Sequence, residues 1–338
     1  MRQINKKRNT AKSKKITSTF FLFWIFTGTH VLLGCENKPD SKNLEASDVF
    51  PSTLVQSAGA IDETFVEEVV REIASDAYEG RGPGTDGDKK TQNYLIQRLE
   101  EMGYVGGAKD GGWIQPFALI GLNTQQPKTW SFETSKGNLT LQQGNEFILA
   151  SGQQASLTRL ENAELVFVGY GIQAPEYGWD DYKGQNVEGK ILVMMNNDPD
   201  WDPDLFQGQT RLFYGRWVYK YEIAARLGAA GVIIIHTDYS AGYPWQVVQT
   251  SWTGVQFELP NEGEPTIDIK AWMTEDASKK LINQSGFDLD KLRQLAKQKE
   301  FEPVFLGTTT SLKIKVDKTS QSTANVLALL PGSKWTDE

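Results

Sequence analysis

The residue types that most often perform catalysis are scarce in this chain. Histidine occurs twice, at His30 and His236, and cysteine once, at Cys35. His30 lies in a segment with the pattern of an export signal, so after processing no second histidine remains to help complete a Ser-His-Asp set. No G-x-S-x-G motif is present, which disfavours nucleophilic hydrolysis. A catalytic pair of carboxylates, as in glycosidases, stays an open alternative, because the two residues of such a pair come together only in the folded protein.

His236 ends the apolar run "GVIIIH", which predicts a buried strand. A lone histidine without a cysteine partner more often caps a strand or makes a structural hydrogen bond than binds a metal ion. We therefore interpret His236 as structural, with a metal ligand as the less favoured alternative.

The segment "DPDWDPD" places carboxylates at alternating positions, namely Asp198, Asp200, Asp202 and Asp204. In an extended chain these four would lie on one side, as in some calcium sites. The glycine and the distal glutamate of a calcium loop are missing at the required offsets, which favours a solvated loop. The role of the loop stays open.

A glycine-rich loop precedes a predicted helix and contains Gly80, Gly82, Pro83 and Gly84. Such loops can bind phosphate through backbone N–H groups. No strand is predicted before this loop and no Gly-Lys-Ser/Thr sequence ends it, so a structural loop is favoured over a phosphate site.

Aromatic residues are dense between residues 179 and 252. They fit either a surface that binds peptide or glycan, or a core and subdomain interface, and the core is favoured. The residues are Trp179, Tyr182, Trp201, Phe213, Tyr214, Trp217, Tyr219, Tyr221, Tyr243, Trp245 and Trp252.

The N-terminus differs in composition from the rest of the 338 residues. A basic leader precedes an apolar run, "FFLFWIFTGTHVLLG", that is shorter than the ~20 residues of a membrane-spanning helix. The sequence "LLGC" around Cys35 resembles a bacterial lipobox, and an ordinary buried cysteine is the alternative. We therefore expect an exported protein that is lipidated at Cys35 and anchored to a bacterial membrane, on the periplasmic or cell-surface face. A net charge of −8 without a later basic cluster argues against a nucleic-acid partner.

Two helices are predicted near the start of the folded part. Apolar residues recur at helical spacing from Asp62, and Thr85 with Asp88 predicts the N-cap of a second helix that Gly103 ends. The second helix should bury a stripe formed by Tyr94, Leu95, Leu99 and Met102.

The remainder predicts an α/β fold with a mixed sheet. Short β-like runs occupy residues 112–152, and "GKILVMMN", "YKYEIAARLGAA" and "GVIIIH" then predict a βαβ unit with a parallel pair of strands. Residues 271–286 and 288–300 have helical periodicity. Residues 311–330 predict a hairpin whose second strand, 326–330, is buried.

Several of these blocks resemble one known family. The segment "EGRGPGTDGDKKTQNYLIQRLEEMGY" resembles the opening helical part of the secreted two-zinc aminopeptidases, the family of aminopeptidase S, aminopeptidase Y and glutamate carboxypeptidase II. The blocks "FVGYGIQAPEYGWDDYKGQNVEGKILVMMNNDPDW", "GRWVYKYEIAARLGAAGVIIIHT" and "AGYPWQVVQTS" resemble the protease-associated domain that many members insert into the peptidase domain. The resemblance extends from Asp62 to the C-terminus.

The resemblance implies a zinc aminopeptidase that removes N-terminal residues from peptides with two zinc ions. In that family "TANVLALLPGS" precedes the strand that carries the first metal ligands, so this chain is expected to end before them. We therefore assign no catalytic or metal-binding residue and expect no zinc to bind this chain as it stands. The alternative is a non-catalytic accessory lipoprotein that binds peptide or glycan through the protease-associated domain.

The same resemblance gives a domain plan. Residues 1–35 would be a lipoprotein signal peptide and 36–60 a flexible tether. Residues 61–155 would be the N-terminal part of the peptidase domain, 156–308 the protease-associated insert, and 309–338 a return hairpin of the incomplete peptidase domain.

Overall fold

A computed structural model describes residues 56–332 of the protein. Cys35, the predicted signal peptide and most of the predicted tether lie outside these residues, and their assignments stay predictions. The chain divides into two compact units, Met1–Val66 and Glu67–Glu338. Across the described part of the chain, every helix is too short or too polar to cross a membrane.

The helices follow in chain order. They are α1 (Glu63–Ile73), α2 (Asp86–Glu101), α3 (Trp217–Arg226), α4 (Asp238–Ala241), α5 (Trp245–Ser251), α6 (Glu275–Gln284) and α7 (Leu289–Leu295). The strands are β1 (Val105–Gly106), β2 (Ile114–Gln125), β3 (Thr129–Thr134), β4 (Gly137–Gln142), β5 (Phe147–Ser151), β6 (Leu157–Phe167), β7 (Gln173–Ala174), β8 (Trp179–Asp180), β9 (Ile191–Met195), β10 (Gly231–His236), β11 (Val255–Glu258), β12 (Ile269–Thr274), β13 (Val304–Val326) and β14 (Ala328–Leu329).

Ten strands form one mixed sheet, which confirms the predicted α/β class. The order is β11-β2-β13-β6-β9-β10-β12-β5, and the β3–β4 hairpin joins it at β13. Strands β6, β9, β10 and β12 run parallel to one another, and the other neighbours are antiparallel. The predicted βαβ unit is present as β9–α3–β10, with Gly231 opposite Ile191.

The core is centred on β9 and β10, whose residues are all buried. Continuous apolar runs such as "ILVMM" and "GVIII" suit strands that are covered on both faces. Helix α3 packs on β10, and α6 packs against β10 and β12. The parallel strands therefore end at a rigid, buried edge.

The first two helices form as predicted, but they bury little. Thr85 caps α2 and accepts a hydrogen bond from the backbone N–H of Asp88, and Gly103 follows the helix with φ +85°. The predicted buried stripe of α2 is wrong, because Leu95 is 36% and Met102 50% exposed. Helix α1 is amphipathic, and none of its residues is buried.

Two other predictions are wrong, both because tertiary pairing overrides the local pattern. Residues 269–274 form strand β12 instead of a helix, since they pair in parallel with β10, and α6 begins only after Thr274. The predicted hairpin at residues 311–330 is one long strand, β13, whose polar middle stays extended because β2 pairs with it residue by residue. Residues 326–330 are half-buried or exposed and pair with β1 through β14.

The predicted domain boundary between residues 308 and 309 falls inside β13. The boundary between 155 and 156 lies in the connection from β5 to β6, and both strands belong to the same sheet. The domain plan remains a prediction.

Asp88 ties the start of α2 to β13. Its Oδ2 accepts hydrogen bonds from the backbone N–H of Gly84 at 2.8 Å and from the hydroxyl of Thr323 at 2.6 Å. Burial by itself raises the pKa of Asp88, but these hydrogen bonds favour the ionised carboxylate and the net pKa is lowered. The glycine-rich loop thus has a structural role in which it donates to a protein carboxylate.

We predict that Asp88→Asn lowers the free energy of unfolding by about 1 kcal/mol near neutral pH, because a charged acceptor is lost. Because the pKa of Asp88 is lowered in the folded state, its contribution to the free energy of unfolding is present above the ordinary Asp pKa of about 3.9. That contribution is lost as the pH falls through the folded-state pKa. Urea unfolding at several pH values measures this. Asp86→Asn, an exposed position in the same turn, is the control, and an equal effect of both changes would contradict the assignment.

Candidate functional site

A cavity of about 390 Å³ lies at the carboxyl ends of the parallel strands. Residues that follow the parallel strands line it: Asn196, Thr237 and Glu275 come directly after β9, β10 and β12, and Tyr170 comes three residues after β6. In α/β sheets this edge is where ligands usually bind, because the loops that follow the strands converge there. The cavity is the candidate functional site.

A buried lysine joins two sides of the cavity. Lys220 projects from α3 and is fully buried. Its ammonium donates to the carbonyl oxygen of Tyr170 at 2.7 Å and to that of Asn197 at 2.8 Å. The ends of β6 and β9 are thereby held at a fixed separation.

Two buried carboxylates balance the lysine charge. Burial lowers the pKa of Lys220, while the nearby carboxylates of Asp181 and Asp198 oppose that shift. Burial likewise raises the pKa of Asp181, which accepts hydrogen bonds from the backbone N–H of Ile172 and from Trp179 Nε1, both at 2.9 Å. The lysine and the carboxylates therefore form one electrostatic unit.

The acidic loop is not uniformly solvated. Asp198 is 3% exposed and accepts a hydrogen bond from the backbone N–H of Leu212, and burial raises its pKa. Asp200 lines the cavity and accepts a hydrogen bond from the Tyr239 hydroxyl at 3.1 Å. Asp202 and Asp204 are exposed, as the solvated-loop interpretation expects. The loop thus directs two carboxylates inward.

Cations come from the opposite wall, from α7 and the residues after it. Arg293 Nη1 donates to Glu275 at 2.6 Å and to Asp290 at 3.2 Å. The hydrogen bond from Arg293 lowers the pKa of Glu275, which is therefore ionised at neutral pH. Lys297 lies over the Trp201 ring, with Nζ 5.4 Å from the centroid. The cavity therefore carries charges of both signs.

His236 is enclosed by aromatic rings at the end of β10. It is 3% exposed, and its ring lies 5.4 Å from Trp245, 5.8 Å from Tyr243 and 6.2 Å from Trp272. Burial lowers its pKa, so the ring is neutral at neutral pH. Its Nε2 has no hydrogen-bond partner within residues 56–332. This setting is that of a packed core histidine.

The donor set does not fit a pair of zinc ions. Within residues 56–332, no three His, Cys, Asp or Glu side chains converge in a way that could hold a metal ion. Zinc sites need several imidazole, thiolate or carboxylate ligands around one point, and His236 has aromatic neighbours instead. No catalytic step through zinc is assigned to these residues.

The aromatic set divides between the core and the surface. Trp179, Tyr182, Tyr219 and Tyr221 are buried. Trp201, Phe213 and Trp217 are exposed by 37%, 57% and 43%. The remaining four, Tyr214, Tyr243, Trp245 and Trp252, are half-buried.

Sequence reasoning singled out Asp198 and Asp200 of the acidic loop but missed the other residues that shape the cavity. Lys220 had a usable signal, because it interrupts the otherwise apolar stripe of α3 between Tyr219 and Tyr221. Tyr170 and Arg293 had no signal in the sequence, since only the sheet topology brings these distant segments of the chain together.

Comparison with known proteins finds similar solved structures. No family model and no curated protein matches the chain. An aminopeptidase from Aneurinibacillus sp. strain AM-1 has 20% identity and a TM-score of 0.37, over 75% of this chain and 45% of that one. BSAP, a zinc aminopeptidase from Bacillus subtilis, has 13% identity and a TM-score of 0.30, over 79% of this chain and 48% of that one. The chain thus spans about half the length of these two structures.

We predict that Lys220→Met lowers the free energy of unfolding by about 3 kcal/mol, because it leaves a buried carboxylate uncompensated and two carbonyls without a donor. Urea unfolding measures the change. The control is Lys190→Met, which removes a partly exposed ion pair with Glu164 and should cost no more than about 1 kcal/mol. Equal stability of Lys220→Met and the unaltered protein would contradict the role of Lys220.

Proposed function

We propose that this chain is the N-terminal portion of an exported, lipid-anchored zinc aminopeptidase, and that it supplies the start of the peptidase domain together with a protease-associated insert. The proposal rests on the sequence blocks that resemble that family. Catalytic and metal-binding residues would then belong to a polypeptide segment that follows Glu338. The substrates would be peptides with a free N-terminus.

The observation that carries the proposal is the uneven burial of apolar residues. The elements that resemble the peptidase domain leave large apolar side chains exposed, in contrast to the strands β9 and β10, while other parts of the proposed insert, such as Tyr239 and Leu259, are exposed as well. Exposed apolar surface of this kind usually marks a missing partner. The residues are Val70 on α1, Leu95 on α2, Met102, Val105 on β1, Ile114 on β2 and Leu330.

We predict that the 338-residue chain does not hydrolyse aminoacyl-nitroanilides when zinc is supplied, and that a chain extended through the downstream reading frame does. The extended chain should also bind less of a fluorescent apolar dye, because the added segment covers the exposed side chains. Hydrolysis by the 338-residue chain, or by neither chain, would contradict the proposal.

A groove beside β11 favours a second candidate function, peptide binding without catalysis. Among the described strands β11 pairs only with β2, so its other edge is unpaired. Val255 and Phe257 are 45% and 40% exposed on it. A cavity of about 410 Å³ between this edge and β5 is lined by Trp217 and Trp252. An unpaired strand edge next to an aromatic cavity suits an extended peptide with large apolar side chains.

We predict that a blocked hexapeptide of alternating phenylalanine and serine binds this groove and that Trp217→Ala weakens binding about tenfold, as loss of an aromatic anchor does. Tryptophan fluorescence titration measures the affinity. Tyr239→Ala, an exposed aromatic outside the groove, is the control. Equal binding of the N-methylated peptide, which lacks main-chain donors, would exclude strand pairing.

A further inference from the structure

We propose that the cavity at the carboxyl ends of β9 and β10 binds a small zwitterion, a free α-amino acid with an aliphatic side chain. Its ammonium group would lie at the acidic loop and its carboxylate at Arg293. The assignment uses only residues of this chain, and it stands whether or not the proposed peptidase function holds.

Unpaired polar groups meet at one side of the cavity. Tyr170 lines it and is 8% exposed, yet its hydroxyl has no hydrogen-bond partner within residues 56–332. Asn197 also lines it, and its side-chain oxygen is buried without a partner in the same part of the chain. The Tyr170 side chain is thus almost fully buried, with a hydroxyl that has no partner within residues 56–332, and a polar ligand in the cavity would supply one.

The acidic loop provides the site for a cation. Asp198 and Asp200 both line the cavity, and each has one carboxylate oxygen engaged, with the Leu212 N–H and the Tyr239 hydroxyl respectively. The Asp198 side chain is buried with its Oδ1 against Gly215, whereas Asp200 keeps one carboxylate oxygen without a hydrogen bond to the residues that the structure describes. Together with the Tyr170 hydroxyl, that oxygen accepts the donors of an ammonium group.

The opposite wall provides the site for a carboxylate. Both hydrogen bonds of Arg293 use Nη1, and its Nε and Nη2 have no partner among residues 56–332. These two nitrogens form one edge of the planar guanidinium, the geometry that binds a carboxylate through two parallel hydrogen bonds. Lys297, whose Nζ lies over the Trp201 ring, adds a second cation to the cavity.

The remaining features select the ligand class. Met195 and Ile235 line the cavity with apolar surface, which suits an aliphatic side chain. Phosphate compounds carry more negative charge than one carboxylate and have no ammonium group to offset the acidic loop, so Asp198 and Asp200 disfavour them. A neutral sugar would leave both charged walls without counter-charges. A free aliphatic amino acid supplies an ammonium group for the acidic loop, a carboxylate for Arg293 and an apolar side chain for the apolar lining.

The test is isothermal titration calorimetry of the full 338-residue chain in detergent with L-leucine. Two analogues are titrated for comparison. L-leucinamide lacks the carboxylate, and 4-methylpentanoate lacks the ammonium group. Each should bind at least about tenfold more weakly than leucine, since each loses one charged contact. Equal binding of the three compounds, or binding of glucose but not leucine, would overturn the proposal.

Variants locate the site. Tyr170→Phe and Asp200→Asn should each weaken leucine binding about five- to tenfold, because each removes one ligand contact. Asp202→Asn, an exposed carboxylate of the same loop that does not line the cavity, should leave binding unchanged. Thermal unfolding of each variant confirms that it is folded. No binding of leucine by the folded, unaltered protein, or an equal loss in Asp202→Asn, would overturn the proposal.

Discussion

One buried cation determines the geometry of the sheet edge where the candidate site lies. The ammonium of Lys220 spans the ends of β6 and β9 through the carbonyl oxygens of Tyr170 and Asn197. Removing a charge from water is costly, so this arrangement requires compensating carboxylates, which Asp181 and Asp198 provide. Tyr170, Asn197 and Asp198 all line or border the cavity, and so its shape depends on the same interaction that holds the strands together.

Apolar burial divides the molecule into two kinds of structure. Around β9 and β10 the chain is covered on both faces, and its apolar residues are withdrawn from water. Near α1, α2, β1 and β14 the same amphipathic patterns leave large side chains exposed. A hydrophobic stripe stabilises a fold only where another element covers it.

The sequence predicted local structure well wherever short-range forces decide it. The Thr85 cap, strand β3 and strand β10 were found because capping, alternation and a continuous apolar run are local signals. Strand β12 and the undivided β13 were missed, since only their neighbours in the sheet keep them extended. The cavity was missed for the same reason, because its residues come from segments far apart in the chain. Asp198 and Asp200 had been singled out as an acidic loop, and the nearby Lys220 had a readable signal, a charge within an apolar helix face.

The central claim is that residues 56–332 provide a scaffold and a polar cavity but not the ligands for a zinc pair. The most direct measurement is the zinc content of the protein after equilibrium dialysis, determined for the 338-residue chain and for a chain extended through the downstream reading frame. The account predicts no stoichiometric zinc in the shorter chain and about two ions per molecule in the longer one, as in two-metal hydrolases. Two tightly bound ions in the shorter chain would contradict it.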